Sequence, residues 1–209
     1  MKKYELTEET VTVYGKTLYR IRAVRDFGSV KTGEFGGYIE KEENLSHFGK
    51  AWVSGNAKVC GNAKVCGNAM VSGKAWVSGN AKVCGNAMVS GNAMVSGKAW
   101  VSGNAKVCGN AMVSGNAKVC GNAEVCGNAE VSNTRHFFVQ GPIGSRNDFV
   151  TFYRTTNNTV GVRCGCFSGS LQKFVDRVEE THGGSRYEKE YKLAAELAKV
   201  CIRLEGESR

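Results

Sequence analysis

Residues 85–96 read Gly-Asn-Ala-Met-Val-Ser-Gly-Asn-Ala-Met-Val-Ser, two units of a hexapeptide repeat. The pattern Gly-(Asn/Lys)-Ala-x-Val-(Ser/Cys) runs without a gap from Gly49 to Ser132, which makes fourteen hexapeptides. Ala and Val are two apart, so on an extended strand they face one side and x faces the other. Gly-Asn is a turn signal, because both residues tolerate a positive φ. Each hexapeptide is therefore a short strand with a corner, and such strands are stable only when stacked.

This repeat resembles that of the hexapeptide-repeat proteins, whose fold is a left-handed parallel β-helix. The resemblance covers residues 49–132 and implies coils of three hexapeptides, with Ala and Val filling the interior. The predicted fold is mainly β: an N-terminal β cap over residues 1–48, the β-helix over 49–132, and an α+β module over 133–209. The hairpin turn Gly15-Lys16 between two alternating segments indicates the cap, which should cover the open strand edges of the first coil.

A period of three hexapeptides assigns the x residues to three outer faces. Tryptophan recurs at every fourth hexapeptide, so it rotates around the prism. Exposed Trp and Met side chains usually mark contact surfaces, and hexapeptide prisms commonly form threefold trimers. We therefore expect a homotrimer, unless a terminal segment folds back over these side chains. The predicted interface residues are Trp52, Met70 and Met88 on face one, and Trp76, Met94 and Met112 on face two.

The net charge of +9 lies mainly on the repeat, where eight lysines stand against Glu124 and Glu130. A basic protein favours anionic partners such as nucleic acid or nucleotides. Face three carries Lys64, Lys82, Trp100 and Lys118, a ladder compatible with phosphate contact and base stacking. Lysines on a solvated solenoid are the alternative explanation.

The known activity of hexapeptide β-helices is acyl transfer, generally with a histidine as general base. The three histidines of this chain, His47, His136 and His182, all lie outside the repeat. An acyltransferase is therefore disfavoured, and we expect no enzyme activity, no cofactor and no metal. The nine cysteines alternate with serine or stand outside the repeat, and we expect them to be reduced thiols. No apolar run approaches the ~18 residues needed to span a bilayer, and no signal peptide is evident, so we expect a cytoplasmic protein.

The C-terminal module shows three strand-like segments at 136–139, 149–153 and 160–164, followed by two helices. The first helix should follow Ser168–Ser170 and run to about His182, and the second should start at Ser185 with a capping box.

Two Gly-rich segments of this module are candidate anion-binding sites. Residues 141–147 join two strands, and their amides are suited to an oxyanion. Residues 164–170 enter a helix N-terminus, which favours anions. A hairpin turn and an ordinary N-cap are the alternative.

Two less favoured alternatives use the cysteines of this module. Cys164 and Cys166 with Cys201 or His182 would form a metal site, and Cys166 with His182 would form a nucleophile pair. The favoured interpretation is an anion site without either. Its predicted ligand-binding residues are Gly144, Ser145, Arg146, Asn147, Tyr153, Arg163, Phe167, Ser168, Gly169 and Ser170.

The whole arrangement resembles uncharacterised phage and prophage proteins with a short β cap, a Gly-Asn-Ala-x-Val solenoid and a small C-terminal module. The segments that carry the resemblance are residues 16–21, 36–40, 141–147 and 164–169. It implies a viral origin and the host cytoplasm. The predicted function is a non-catalytic binding protein that counters host defence by sequestering a nucleotide-type ligand. The alternatives are a nucleic-acid or host-protein binder that uses the basic solenoid, and the disfavoured acyltransferase.

Overall fold

A computed structural model describes residues 2–206. The chain begins with an antiparallel hairpin of β1 (Tyr4–Val13) and β2 (Lys16–Ala23), followed by β3 (Phe35–Ile39) and a 3-10 turn at Glu42–Asn44. Strand β3 pairs antiparallel with β2 and parallel with β5, the second strand of the repeat. The predicted N-terminal β cap is thus confirmed, and it continues one sheet of the solenoid.

Every hexapeptide forms one short strand, and the fourteen strands stack in parallel, each on the strand three hexapeptides further along the chain. The three sheets correspond to the three predicted faces. The strands are Trp52–Val53 (β4), Lys58–Val59 (β5), Lys64–Val65 (β6), Met70–Val71 (β7), Trp76–Val77 (β8), Lys82–Val83 (β9), Met88–Val89 (β10), Met94–Val95 (β11), Trp100–Val101 (β12), Lys106–Val107 (β13), Met112–Val113 (β14), Lys118–Val119 (β15), Glu124–Val125 (β16) and Glu130–Val131 (β17).

The Ala and Val columns fill the interior, and they are almost completely buried along the repeat. At each corner a glycine takes a positive φ. A methyl group on Gly103 would lie 2.9 Å from the amide nitrogen of Gly121 in the next coil. Glycine is therefore required at this corner for two reasons: the backbone has a positive φ, and the corners of successive coils stack closely. Asparagine side chains add hydrogen-bonded ladders, such as Asn68 to Asn86 at 3.0 Å.

Apart from the bonds between two paired strand residues, main-chain hydrogen bonds between coils run in one sense, from an amide to a carbonyl of the following coil. Trp52 N, for example, donates to Ala69 O at 3.0 Å. The N-terminal end of the solenoid therefore presents mainly carbonyl groups, which need donors, and the C-terminal end presents mainly amides, which need acceptors. The two flanking segments supply these opposite groups.

The N-terminal cap supplies donors. Asn44 Nδ2 donates to Ala63 O at 2.9 Å, and Tyr38 N donates to Ala57 O at 2.9 Å. The ammonium group of Lys3 is buried and donates to Ala51 O at 2.6 Å. Lys3 also lies 4.9 Å from the centre of the Phe27 ring. Burial, and to a lesser extent the charge of Arg25, lowers the pKa of Lys3 to about 8.

Trp52 was expected on the outside of the first coil, as part of an interface between chains. The structure contradicts this prediction, because the Trp52 side chain is only 1% exposed. Tyr4 and Phe27 of the cap pack edge-on against its ring, with centroid distances of 6.3 and 5.3 Å. Intrachain covering, the alternative explanation, applies at this position.

The C-terminal module is a four-stranded antiparallel sheet with two helices, in agreement with the predicted α+β class. Its elements are β18 (Phe137–Ile143), β19 (Asp148–Arg154), β20 (Val160–Cys164), β21 (Phe167–Ser170), α1 (Leu171–His182) and α2 (Arg186–Cys201). Two expectations need correction. Residues 141–143 belong to β18, which leaves only 144–147 as a turn. Residues 167–170 form a fourth strand paired with β20 rather than a loop, because Gly165-Cys166 makes a tight turn.

This module also closes the C-terminal end of the solenoid. Thr151 Oγ1 accepts from Glu124 N at 2.9 Å, and His136 Nδ1 accepts from Ser132 N at 3.3 Å. Burial lowers the pKa of His136, with a further contribution from the charge of Arg154, which favours the neutral ring that can act as an acceptor. Tyr153 packs into the core of the solenoid. The module is therefore a second cap.

The two acidic x residues of the repeat pair with arginines of this module. Glu124 Oε2 lies 3.1 Å from Arg163 Nε, and Glu130 Oε1 lies 3.4 Å from Arg154, whose side chain is buried. Glu124 also accepts from Lys106 at 2.7 Å. Acids therefore replace Lys, Met or Trp at the two strands on which the module rests.

The expectation that all cysteines are reduced is wrong for one pair. Cys108 and Cys126 form a disulfide. They occupy the same position of successive coils, which places their Cα atoms 4.5 Å apart, within the range that a disulfide requires.

Gly103 and Gly121 provide a matched test of the corners. They occupy one column with φ values of +69° and +68°, but a methyl group on Gly121 would meet no atom within 4 Å. We expect Gly121→Ala to lose about 1–2 kcal/mol of unfolding free energy through backbone strain. Gly103→Ala should lose about 1–3 kcal/mol more, because its methyl group pushes the next coil away. Denaturant titrations monitored by circular dichroism would measure both, and equal losses would contradict the stacking argument.

Lys3 should make stability depend on pH. Its pKa is about 8 when folded, against 10.5 ordinarily, so between these values the unfolded chain binds more protons. The unfolding free energy contributed by Lys3 should therefore rise from pH 8 to pH 10. We expect the difference in unfolding free energy between wild type and Lys3→Met to grow in favour of wild type across this range. Comparing two variants cancels the other titrating groups.

Lys2 is the control for this experiment, since it is exposed and pairs with Glu42 on the surface. Lys2→Met should leave the pH profile between 8 and 10 close to that of wild type. A constant difference between wild type and Lys3→Met would show that the Lys3 ammonium does not titrate as expected.

Candidate functional site

A cleft of about 580 Å³ lies in the C-terminal module. The two predicted segments meet there, because the turns that follow β18 and β20 lie at the same end of the sheet and α1 and α2 close the opposite wall. The lining residues are Ser145, Arg146, Asp148, Cys164, Gly165, Cys166, Phe167, Ser168, Phe174, Arg177, Val178, Thr181, His182 and Tyr191. Four of the ten predicted ligand-binding residues are among them: Ser145, Arg146, Phe167 and Ser168.

The amides of the turn are less available than expected. The amide of Gly144 donates to Glu190 Oε2 at 2.6 Å, and that of Asn147 donates to Gly144 O at 3.2 Å. An incoming anion would have to displace the Glu190 carboxylate from Gly144. The prediction that Gly144 and Asn147 hold phosphate through their amides is therefore wrong for the structure as it stands.

Tyr153 and Arg163 face the solenoid rather than the cleft. Tyr153 is buried against the last coil and cannot stack on a ligand base, and Arg163 is paired with Glu124. Both were predicted as ligand-binding residues, and the structure corrects both to the cap contact. Their positions on β19 and β20 alternate away from the helices, which explains the difference.

Gly169 and Ser170 also lie outside the large cleft. Together with Ser168 they line a second hollow of about 240 Å³ at the contact with the last coil. Ser170 is the N-cap of α1, and its hydroxyl accepts from Lys173 N at 3.4 Å. Ser170 is therefore an ordinary helix N-cap, the alternative to its predicted role in anion binding.

Aromatic rings form the floor of the large cleft. Phe174 of α1 packs against Phe167 at 5.5 Å and against Tyr191 of α2 at 5.7 Å, measured between ring centroids. His182 lies 5.6 Å from Tyr191. Neither Phe174 nor Tyr191 was among the predicted site residues. The helical i, i+4 spacing of Phe174 and Val178 was the available signal.

Charges at the cleft are mostly positive. Arg146 and Arg177 contribute guanidinium groups, and Asp148 contributes one carboxylate. Arg177 pairs with Glu180 at 2.8 Å on the exposed surface, whereas Arg146 has no ion pair within residues 2–206. Arg146 is thus the cation of this cleft that is most accessible to a ligand.

Cys164 and Tyr191 keep their protons at neutral pH. Burial raises the pKa of the Cys164 thiol, and burial together with the neighbouring Cys164 raises the pKa of Tyr191 to about 12. The two groups form a hydrogen bond. A thiol with a raised pKa is a poor nucleophile, so this part of the cleft is suited to hydrogen bonding. No cluster of three or more metal-ligating side chains occurs within the described part of the chain, residues 2–206.

The remaining predicted interface residues lie on the middle coils of the solenoid. Met88 and Met94 are 44% and 45% exposed. Met70, Trp76 and Met112 are half-buried. The Trp76 ring lies 5.3 Å from that of Tyr14 in the cap hairpin, which covers it in part. The uncovered apolar surface is therefore centred on one coil, that of Met88, Met94 and Trp100.

None of the helices in the described residues has the length and apolar character needed to cross a membrane. No curated protein sequence matches the chain. Three stretches of the chain, residues 63–79, 89–103 and 105–121, match the family described as YdcK Beta solenoid repeat. All three lie inside the solenoid, and together they cover about a quarter of the chain. This similarity agrees with the observed stacking of coils and supports a β-solenoid repeat in the matched part of the chain.

Proposed function

We propose that the protein is a non-catalytic binding protein that captures a small anionic ligand of nucleotide type in the cleft of its C-terminal module. The observation that carries this proposal is the position of Arg146, without an ion pair within residues 2–206, beside an aromatic floor. Arginine is suited to phosphate because its guanidinium group donates two parallel hydrogen bonds.

The dimensions and chemistry of the cleft support a ligand of this class. A volume of about 580 Å³ falls within the ~300–1,000 Å³ that is usual for small-molecule sites. The hydroxyl groups of Ser145 and Tyr191 provide hydrogen-bonding groups next to the arginines. Phe167 and Phe174 provide apolar surface for a base. A ligand with a phosphate and a planar ring would use both sides of the cleft.

The resemblance to phage and prophage proteins supports a biological setting for this activity. We propose that the protein acts in the cytoplasm of a host cell and blunts defence by sequestering a nucleotide-type signal. Sequestration needs binding without turnover, and the protonated Cys164 thiol is compatible with that. The solenoid would set the number and spacing of the ligand-binding modules.

Arg146→Ala should weaken binding of such a ligand by about 1.5–3 kcal/mol, or roughly ten- to a hundredfold, because a charge-assisted hydrogen bond is lost. The measurement is isothermal titration calorimetry against a panel of nucleoside mono- and diphosphates and cyclic dinucleotides. Arg135→Ala is the matched control, since Arg135 is an exposed arginine of the same module that lies outside the cleft.

The exposed face three supports a second candidate, binding of nucleic acid. Lys64, Lys82 and Lys118 are exposed along it, and the Lys82 ammonium lies 5.6 Å from the centre of the Trp100 ring. Changing these three lysines to alanine would then reduce the salt dependence of polynucleotide binding. If the triple variant abolishes binding and biological effect while Arg146→Ala changes neither, the solenoid is the active surface and the cleft proposal fails.

We further propose a homotrimer assembled through the exposed Met88 and Met94. Because glutamates there would place like charges in an apolar contact, Met88→Glu with Met94→Glu should dissociate it. Light scattering should give three times the chain mass of 22.5 kDa for wild type and a single chain for the variant, with unchanged circular dichroism. Lys118→Glu is the control, since it changes the net charge by the same amount on face three, away from the methionines. A monomeric wild type would contradict this assignment.

A further inference from the structure

The solenoid stacks two pairs of cysteines in equivalent positions of successive coils. One pair is Cys108 and Cys126, already joined by a disulfide. The other is Cys66 and Cys84, which have the same separation along the chain and are free thiols. No other two of the nine cysteines are separated by one coil. Cys120 shares the column of Cys66 and Cys84, but Ser102 occupies the coil between Cys84 and Cys120.

Main-chain geometry makes the two pairs equivalent. Cys66 N donates to Val83 O at 3.0 Å, and Cys108 N donates to Val125 O at 3.0 Å. In both cases the acceptor is the residue directly before the second cysteine. The separation of 4.5 Å between the Cα atoms of Cys108 and Cys126 is therefore expected between Cys66 and Cys84 as well. A disulfide there needs no change of backbone.

The surroundings of Cys66 and Cys84 also suit exchange. Both side chains are partly exposed, so a small reagent can reach them. The Trp100 indole nitrogen donates to Cys84 Sγ at 3.0 Å, which orients that sulfur. The two thiols are hydrogen-bond partners. Burial, and to a lesser extent the neighbouring Cys84, raises the pKa of Cys66, while the charges of Lys64 and Lys82 act in the opposite direction. Exchange should therefore be faster at alkaline pH, where more of the thiol is ionised.

We propose that Cys66 and Cys84 form a redox-active dithiol that is oxidised to a disulfide by small disulfides of the glutathione class. One cysteine thiolate attacks a sulfur of the small disulfide, forms a mixed disulfide and releases one thiolate, which takes up a proton. The second cysteine thiolate then attacks the protein sulfur of the mixed disulfide and releases the other small thiol. In total, two protein thiols are oxidised and one small disulfide is reduced to two thiols. The product links two coils directly after the strands of face three.

Peptide mapping after oxidation tests this proposal. The full-length protein is reduced, incubated with glutathione disulfide, alkylated and digested with trypsin without reduction. Cys66 and Cys84 then lie on separate peptides, residues 65–74 and 83–98. We expect these peptides to be joined, with the loss of two alkylatable thiols. Indole fluorescence should fall at the same time, since Trp100 contacts Cys84.

Variants in the same column supply the controls. Cys66→Ser should abolish the link, and it should fold, because serine already occupies this column at Ser102. Cys120→Ser should leave the link between Cys66 and Cys84 intact. The proposal is overturned if folded wild-type protein, confirmed by circular dichroism, carries Cys66 and Cys84 as separate glutathione adducts or unmodified thiols. A link from either residue to a different cysteine would overturn it equally.

Discussion

The predominant direction of the hydrogen bonds between coils is the constraint on which the rest of this structure depends. Outside the strand pairs, each coil donates its amides to the coil that follows, so the stack has one end rich in free carbonyls and one end rich in free amides. Neither end can be left bare without exposing unpaired strand edges that template aggregation. The N-terminal cap answers the carbonyls with donors, including the buried ammonium of Lys3, and the C-terminal module answers the amides with the acceptors of Thr151 and His136.

The hexapeptide period predicted which side chains point inward. The coil of three hexapeptides, and with it the three faces, was implied by the resemblance to hexapeptide-repeat proteins. The burial of residues at the ends of the repeat could not be predicted from the sequence. Trp52 has the same sequence environment as Trp100, yet it is buried, because Tyr4 and Phe27 come from a segment outside the repeat. The one available signal at the other end was the change to glutamate at Glu124 and Glu130, where arginines of the module bind.

The candidate site was predictable in part for the same physical reason. Strand and turn patterns placed the segments of Arg146 and Phe167 at one sheet end, and the cleft lies there. The aromatic floor comes from helix residues whose partners are distant in sequence. The pairing of Gly144 with Glu190 spans 46 residues, and no local pattern indicates it. The module uses one side of its sheet as a cap, and the cleft lies on the other side, next to the helices.

The mismatch between the sequence unit of four hexapeptides and the coil of three has a geometric consequence for the whole molecule. Three strands complete one turn, so each added hexapeptide moves the end of the solenoid by one face, or a third of a turn. A duplicated or deleted unit of four hexapeptides would lengthen or shorten the stack and also rotate the cleft relative to the N-terminal cap. Only changes by whole coils would keep their angular relation. The number of hexapeptides therefore sets both the distance between the two caps and the rotation of the cleft about the solenoid axis.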